Sequence, residues 1–139
     1  MELGDIKDIF HEVRKNFIWT ADGKHKVAWR DGFIHVKDQW NLMQPDEKGI
    51  LRGDCEDFCL YCSKQIKEKF GILKADRLLT YTKTETDEGH CILCVKIGDR
   101  EYVLDNRQRQ VVTLQKLKRS GYSDFARPKG SVAGPWLPL

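Results

Sequence analysis

Two apolar runs, GHCILCVKIG at 89–98 and REYVLDN at 100–106, are separated only by Asp99. Both are rich in the Ile, Leu, Val and Tyr side chains that pack well on a pleated surface. A Gly-Asp step between such runs signals a hairpin, because glycine supplies the positive φ that a tight hairpin turn requires. The hairpin also sets a register, in which residues whose numbers add to about 197 face each other across an antiparallel pair. His90 then lies opposite about residue 107, within one or two positions of Asp105. An imidazole and a carboxylate brought together this way can hydrogen-bond, which fixes the ring's tautomer and raises its basicity.

A third run, ADRLLTYTKTET at 75–86, has the same strand character. Earlier in the chain the period differs. LGDIKDIFHEVRKNF at 3–17 carries Leu3, Ile6, Ile9, Phe10, Val13 and Phe17 at helical spacing, which predicts an amphipathic helix starting near Gly4 or Asp5. TADGKH at 20–25 is a turn cluster. The segment 27–49, with Trp29 and Trp40, shows no clear period, although Pro45 before Asp46 and Glu47 suits the opening of a short helical turn. RQVVTLQKL at 109–117 suits a short strand or a turn into a helix. The Pro-rich tail 120–139 reads as irregular. Helices first and antiparallel strands second predict an α+β fold, with residues 1–139 as a single domain.

The stretch RGDCEDFCLYCSKQIKEKFG at 52–71 reads as a second helix with both ends marked. Asp54 suits the N-cap, Asp57 stands where a capping-box partner belongs, and Gly71 suits the C-terminal stop. Cys55 therefore falls at the first helical position. There the unpaired N–H groups and the positive end of the helix dipole favour a thiolate. Its neighbours carry the wrong charge, since carboxylates disfavour a thiolate. Successive helical residues point about 100° apart, so Asp54 and Glu56 need not face the sulfur and are expected to cap, pair or bind a cation. The Cys55 backbone N–H is placed to donate to an oxyanion. A cysteine at a helix start, then His90 and Asp105 on consecutive strands, is the ordered set that nucleophilic thiol chemistry needs.

The pattern W…P.E…GDCEDF, a helix, then GHCILCV and VLDN resembles the bacterial transglutaminase-like cysteine proteinases, a compact branch of the papain-like and transglutaminase-like superfamily. The matching positions are Trp40, Pro45, Gly53 to Phe58, His90 and Leu104 to Asn106. The resemblance implies a papain-like/transglutaminase-like core, with Cys55, His90 and Asp105 as a catalytic triad. It implies a cysteine peptidase or amidase acting on a protein or peptide substrate. Acyl transfer to an amine, as in a transglutaminase, and a non-catalytic binding module that keeps the fold are the alternatives. Some members of the family need calcium, tied to the acids flanking the cysteine; these match Asp54 and Glu56. Phe58 stands where the family usually has Tyr, and the chain is short for the family.

Cys59 with Cys62 and Cys91 with Cys94 form two C-x-x-C pairs, on paper a zinc site. The first pair falls inside a predicted helix. The second lies in a strand, where an odd offset sends the two thiols to opposite faces. Buried small hydrophobes are the expectation for all four. His11, His25 and His35 are expected away from the site. Trp40 is a possible cleft wall, Gln39 or Gln44 a possible oxyanion donor, and Asn106 either orients Asp105 or makes the turn.

Composition excludes some classes. The 24 basic and 21 acidic residues are spread along the chain, and RQRQ at 107–110 and KLKR at 116–119 are too slight for a nucleic-acid footprint. No apolar run approaches the roughly 18 residues of a membrane helix. An odd cysteine count argues against a pure disulfide framework, and the N-terminus lacks a signal-peptide pattern. The cytoplasm is the expected location, and a phage or mobile element a possible origin.

Overall fold

Residues 2–20, 26–30, 33–37, 43–71, 77–128 and 136–138 are described in the computed structural model. In chain order the elements are α1 (Leu3–Asn16), β1 (Phe17–Trp19), β2 (Lys26–Arg30), β3 (Phe33–Lys37), β4 (Leu51–Gly53), α2 (Cys55–Phe70), β5 (Arg77–Lys83), β6 (Gly89–Ile97), β7 (Arg100–Leu104), β8 (Val112–Thr113), α3 (Leu114–Arg119), β9 (Ser123–Pro128) and β10 (Trp136–Pro138). Glu2 caps α1, its N–H bonded to Asp5 Oδ2 at 2.8 Å. Pro45 precedes a turn in which the Gly49 N–H closes onto the Asp46 carbonyl at 2.9 Å.

Eight strands form one antiparallel sheet in the order β2-β3-β10-β9-β5-β6-β7-β8. β1 and β4 make a separate parallel pair, Phe17 facing Leu51 and Trp19 facing Gly53. The predicted hairpin is present in its expected register. Ile97 faces Arg100, Leu93 faces Leu104, and Gly98 takes φ +64° at the turn. The tail departs from its irregular reading: β9 inserts between β5 and β10, and β10 pairs with β3. Its prolines terminate these short strands, as Pro128 and Pro138 are the last residues of β9 and β10.

The centre of the sheet is covered on both faces. On one, α1 and α2 contribute Ile6, Ile9, Phe10, Phe58, Cys59, Cys62 and Ile66 against Cys91, Leu93, Val95 and Leu104. On the other, Ile92, Cys94 and Val103 pack with Leu114, Leu117, Tyr122 and Phe125. This explains why residues 91–95 are apolar without alternation: a strand buried on both faces needs no polar side. Each fully buried Leu, Ile or Phe contributes about 1.5–3 kcal/mol, so the sandwiched β6 is strongly anchored. Cys91 and Cys94 do fall on opposite faces.

Candidate active site

The position of Cys55 is set by local chemistry at the start of α2. Asp54 is the N-cap; its Oδ1 accepts the Asp57 N–H at 3.1 Å, and the Asp54 N–H donates back to Asp57 Oδ2 at 3.0 Å. This reciprocal pair satisfies two donors that a helix start would leave unbonded. Phe58, fully buried, pins the first turn through edge-on contacts with Phe10 and Phe17, ring centroids 6.0 and 5.1 Å away. Gly53 leaves room for the cap, since a Cβ there would lie 2.6 Å from the Asp57 carboxylate. Cys55 is thus the first residue of α2, and it is the only partly exposed one of the five cysteines, all of which are free thiols.

The hairpin supplies the other two groups. His90 is the second residue of β6, and Asp105 directly follows β7 rather than ending it. His90 Nε2 and Asp105 Oδ1 are 2.6 Å apart, with 7% and 0% of the side chains exposed. The Arg107 N–H also donates to Oδ1, at 2.9 Å. Tyr122, from the turn after α3, donates its hydroxyl to Oδ2 at 2.9 Å. Burial pushes the Asp105 carboxyl up, but its hydrogen bond to His90, the His90 charge and the other two donors win and hold it below the ordinary carboxylate value. With Nε2 turned to Asp105, Nδ1 is the ring's second nitrogen. The Cys91 backbone N–H, one residue past His90, points at the Cys55 sulfur and favours its anion. The start of α2 and the start of β6 therefore meet at the sulfur.

The direction of Glu56, which helix spacing leaves open, is settled by the fold. Glu56 does not face away: Cys55 Sγ donates to Glu56 Oε2 at 3.3 Å. Burial first and the Glu56 charge second push the Cys55 thiol well above its ordinary value, and the Cys91 N–H only partly opposes them. The helix start alone does not make a thiolate here, because a carboxylate at contact distance outweighs partial backbone charges. Glu56 is buried and also receives the Tyr81 hydroxyl on Oε1 at 3.4 Å. Its carboxyl is hydrogen-bonded to Asp54, whose own carboxyl is pushed up to about 7 by burial and by Glu56.

Two facing carboxyl groups, of which Asp54 has its proton affinity raised by Glu56, suit a hard cation in charge and donor type. Calcium takes about six to eight oxygens. Among the described residues no group of three or more acidic, His or Cys side chains gathers to complete such a sphere, or a zinc site. Asp54 and Glu56 offer oxygen donors of the right type, but among the described residues they fall short of such a sphere. Cys59, Cys62, Cys91 and Cys94 are buried small side chains, as expected, and the Cys91 thiol is hydrogen-bonded to Cys59.

The remaining candidates separate. His11 and Gln44 are exposed, while His25, Gln39 and Trp40 lie outside the described residues, as does the His35 side chain. Asn106 makes no hydrogen bond to Asp105 among the described residues, and its own Oδ1 is buried with no partner there. Tyr122 does bond Asp105, and sequence reading missed it because it lies 17 residues past Asp105 in a tail with no strand-like period. Among the described residues, no helix is long and apolar enough to cross a membrane.

Comparisons with known proteins bear on the fold and the family. Solved structures of LapG from Legionella pneumophila superpose with TM-scores of 0.62 for an EGTA-treated form and 0.59 for a calcium-bound form. The identities are 17% and 18%, and the matches cover 95% and 96% of this chain. The chain spans 64% of the EGTA-treated LapG chain and 72% of the calcium-bound one. No curated protein matches the sequence. The model of one family, the bacterial transglutaminase-like cysteine proteinases, matches residues 24–138. With that match over most of its length, the chain belongs to the bacterial transglutaminase-like cysteine proteinases.

Proposed function

We propose that the chain is a cysteine peptidase or amidase that cleaves a protein or peptide substrate, with Cys55 as nucleophile, His90 as general base and acid, and Asp105 as its orienting carboxylate. The observation that carries this is the 2.6 Å His90–Asp105 bond, made at the start of the strand whose Cys91 backbone N–H points at the Cys55 sulfur. His90 Nδ1 takes the Cys55 proton as the sulfur attacks the carbonyl carbon. The developing oxyanion meets the Cys55 N–H, which has no partner within the helix. The imidazolium, stabilised by Asp105, then protonates the departing amine, leaving a thioester. Water, deprotonated by His90, attacks the thioester and regenerates the thiol.

Asp54 and Glu56 would hold a calcium ion; when bound, it would neutralise the carboxylate charge that keeps the Cys55 thiol protonated. Family membership and the calcium-bound form of LapG support this assignment. Turnover of a peptide library, with calcium present, tests the reaction. Cys55→Ala should keep the wild-type circular dichroism and lose all hydrolysis; hydrolysis retained by that variant would reject the proposal.

A further inference from the structure

Tyr122 reaches the hairpin through an unusual turn. After α3 the Ser120 N–H closes onto the Leu117 carbonyl at 3.1 Å, and Gly121 takes φ +102°. That conformation is rare for any residue with a side chain, and a Cβ at Gly121 would sit 2.9 Å from Glu85 Cβ. The turn delivers Tyr122 to the face of the sheet opposite α1 and α2, where it is 5% exposed. Its ring stands edge-on to His90, centroids 6.1 Å apart at 79°.

The hydroxyl is fully used. It donates to Asp105 Oδ2 at 2.9 Å and accepts from Arg107 Nη1 at 2.8 Å, with Gln108 Nε2 at 3.5 Å. Arg107 is fixed in turn by Glu85, which takes two bonds of 2.6 and 3.2 Å from its guanidinium. The guanidinium carbon lies 5.5 Å from the Tyr122 ring centroid. Asp105 is completely buried, so without the Tyr122 hydroxyl its Oδ2 would lose this donor in a place water does not reach. A phenylalanine would fill the same volume. The hydroxyl's partners are Asp105, Arg107 and Gln108, so its contribution concerns the carboxylate more than the core.

Resting on the roles given above to Cys55, His90 and Asp105, we infer that Tyr122 is a positioning residue for the reaction: it holds Asp105 in line with the His90 ring, with Arg107 and Glu85 as an outer brace. It acts through Asp105 rather than on the reacting atoms. Burial and the nearby Asp105 push the phenol up to about 12, so it stays a donor across the working range.

Tyr122→Phe tests this by turnover of a peptide found with the wild type, by thermal melting, and by the low-field proton NMR signal of the His90–Asp105 hydrogen bond. Turnover number should fall by about 10- to 100-fold, the effect of losing one hydrogen bond to a buried charge. KM should stay within about twofold, since no substrate contact is lost. The low-field signal should shift or broaden. In a folded Tyr122→Phe protein, an unchanged turnover number or an unchanged signal overturns the inference, provided Cys55→Ala is inactive. Activity surviving in Cys55→Ala instead overturns the reading on which it rests. Should Tyr122→Phe fail to fold, Arg107→Met removes only the brace. It should lower turnover by about 3- to 10-fold at constant KM, and wild-type turnover in that variant overturns the inference.

Discussion

Glu56→Gln should make Cys55 more acidic and faster to react at neutral pH. The substitution keeps the shape of the side chain, and the amide oxygen can still receive the Tyr81 hydroxyl that Glu56 takes at 3.4 Å. What it removes is a negative charge whose oxygen lies 3.3 Å from the sulfur. At that separation a full charge opposes a thiolate by about 5 kcal/mol at an effective dielectric of about 20, and by about 1 kcal/mol in water. One pH unit corresponds to about 1.4 kcal/mol. Asp54 returns part of the charge, because it ionises more readily once Glu56 no longer raises its carboxyl. The lower end of the range is therefore expected, a fall of about one to two units in the thiol midpoint. Alkylation by iodoacetamide from pH 6 to 10, in chelator and read at Cys55 by mass spectrometry, measures it. The four buried cysteines contribute little to that signal. A midpoint in Glu56→Gln equal to or above that of the wild type would refute the electrostatic account of this thiol.

Calcium should raise the melting temperature of the wild type and speed alkylation of Cys55, with both effects reversed by chelator and absent in Glu56→Gln; identical melting with and without calcium would remove the metal assignment. Gly53→Ala places a methyl 2.6 Å from the Asp57 carboxylate that receives the Asp54 N–H. Overpacking plus a strained cap should cost about 2–4 kcal/mol in urea unfolding, and a loss under about 0.5 kcal/mol would show that α2 starts in another way.

The parts of the site that follow local rules were legible in the sequence. The two-residue turn at 98–99 imposes a register, so the approach of His90 to Asp105 could be deduced by counting. The cap Asp54, its partner Asp57 and the stop Gly71 located Cys55 on α2 before any coordinates. What escaped depended on tertiary placement. The rotamer of Glu56, which decides the charge beside the sulfur, is set by burial and by Tyr81, 25 residues away. Tyr122 reaches Asp105 only because Gly121 turns the chain under the sheet. The tail read as irregular because its strands are short, at six and three residues, and end on prolines, although sheet pairing carries them.

The central claim is that Cys55 attacks with the help of His90. The most direct measurement treats the protein with a peptide bearing a thiol-directed electrophile and maps the adduct by mass spectrometry, in wild type and in His90→Ala. We expect a stoichiometric adduct on Cys55 in the wild type and a rate at least about tenfold lower in His90→Ala. An adduct formed on Cys55 at the same rate without His90, or formed only on another cysteine, would contradict it.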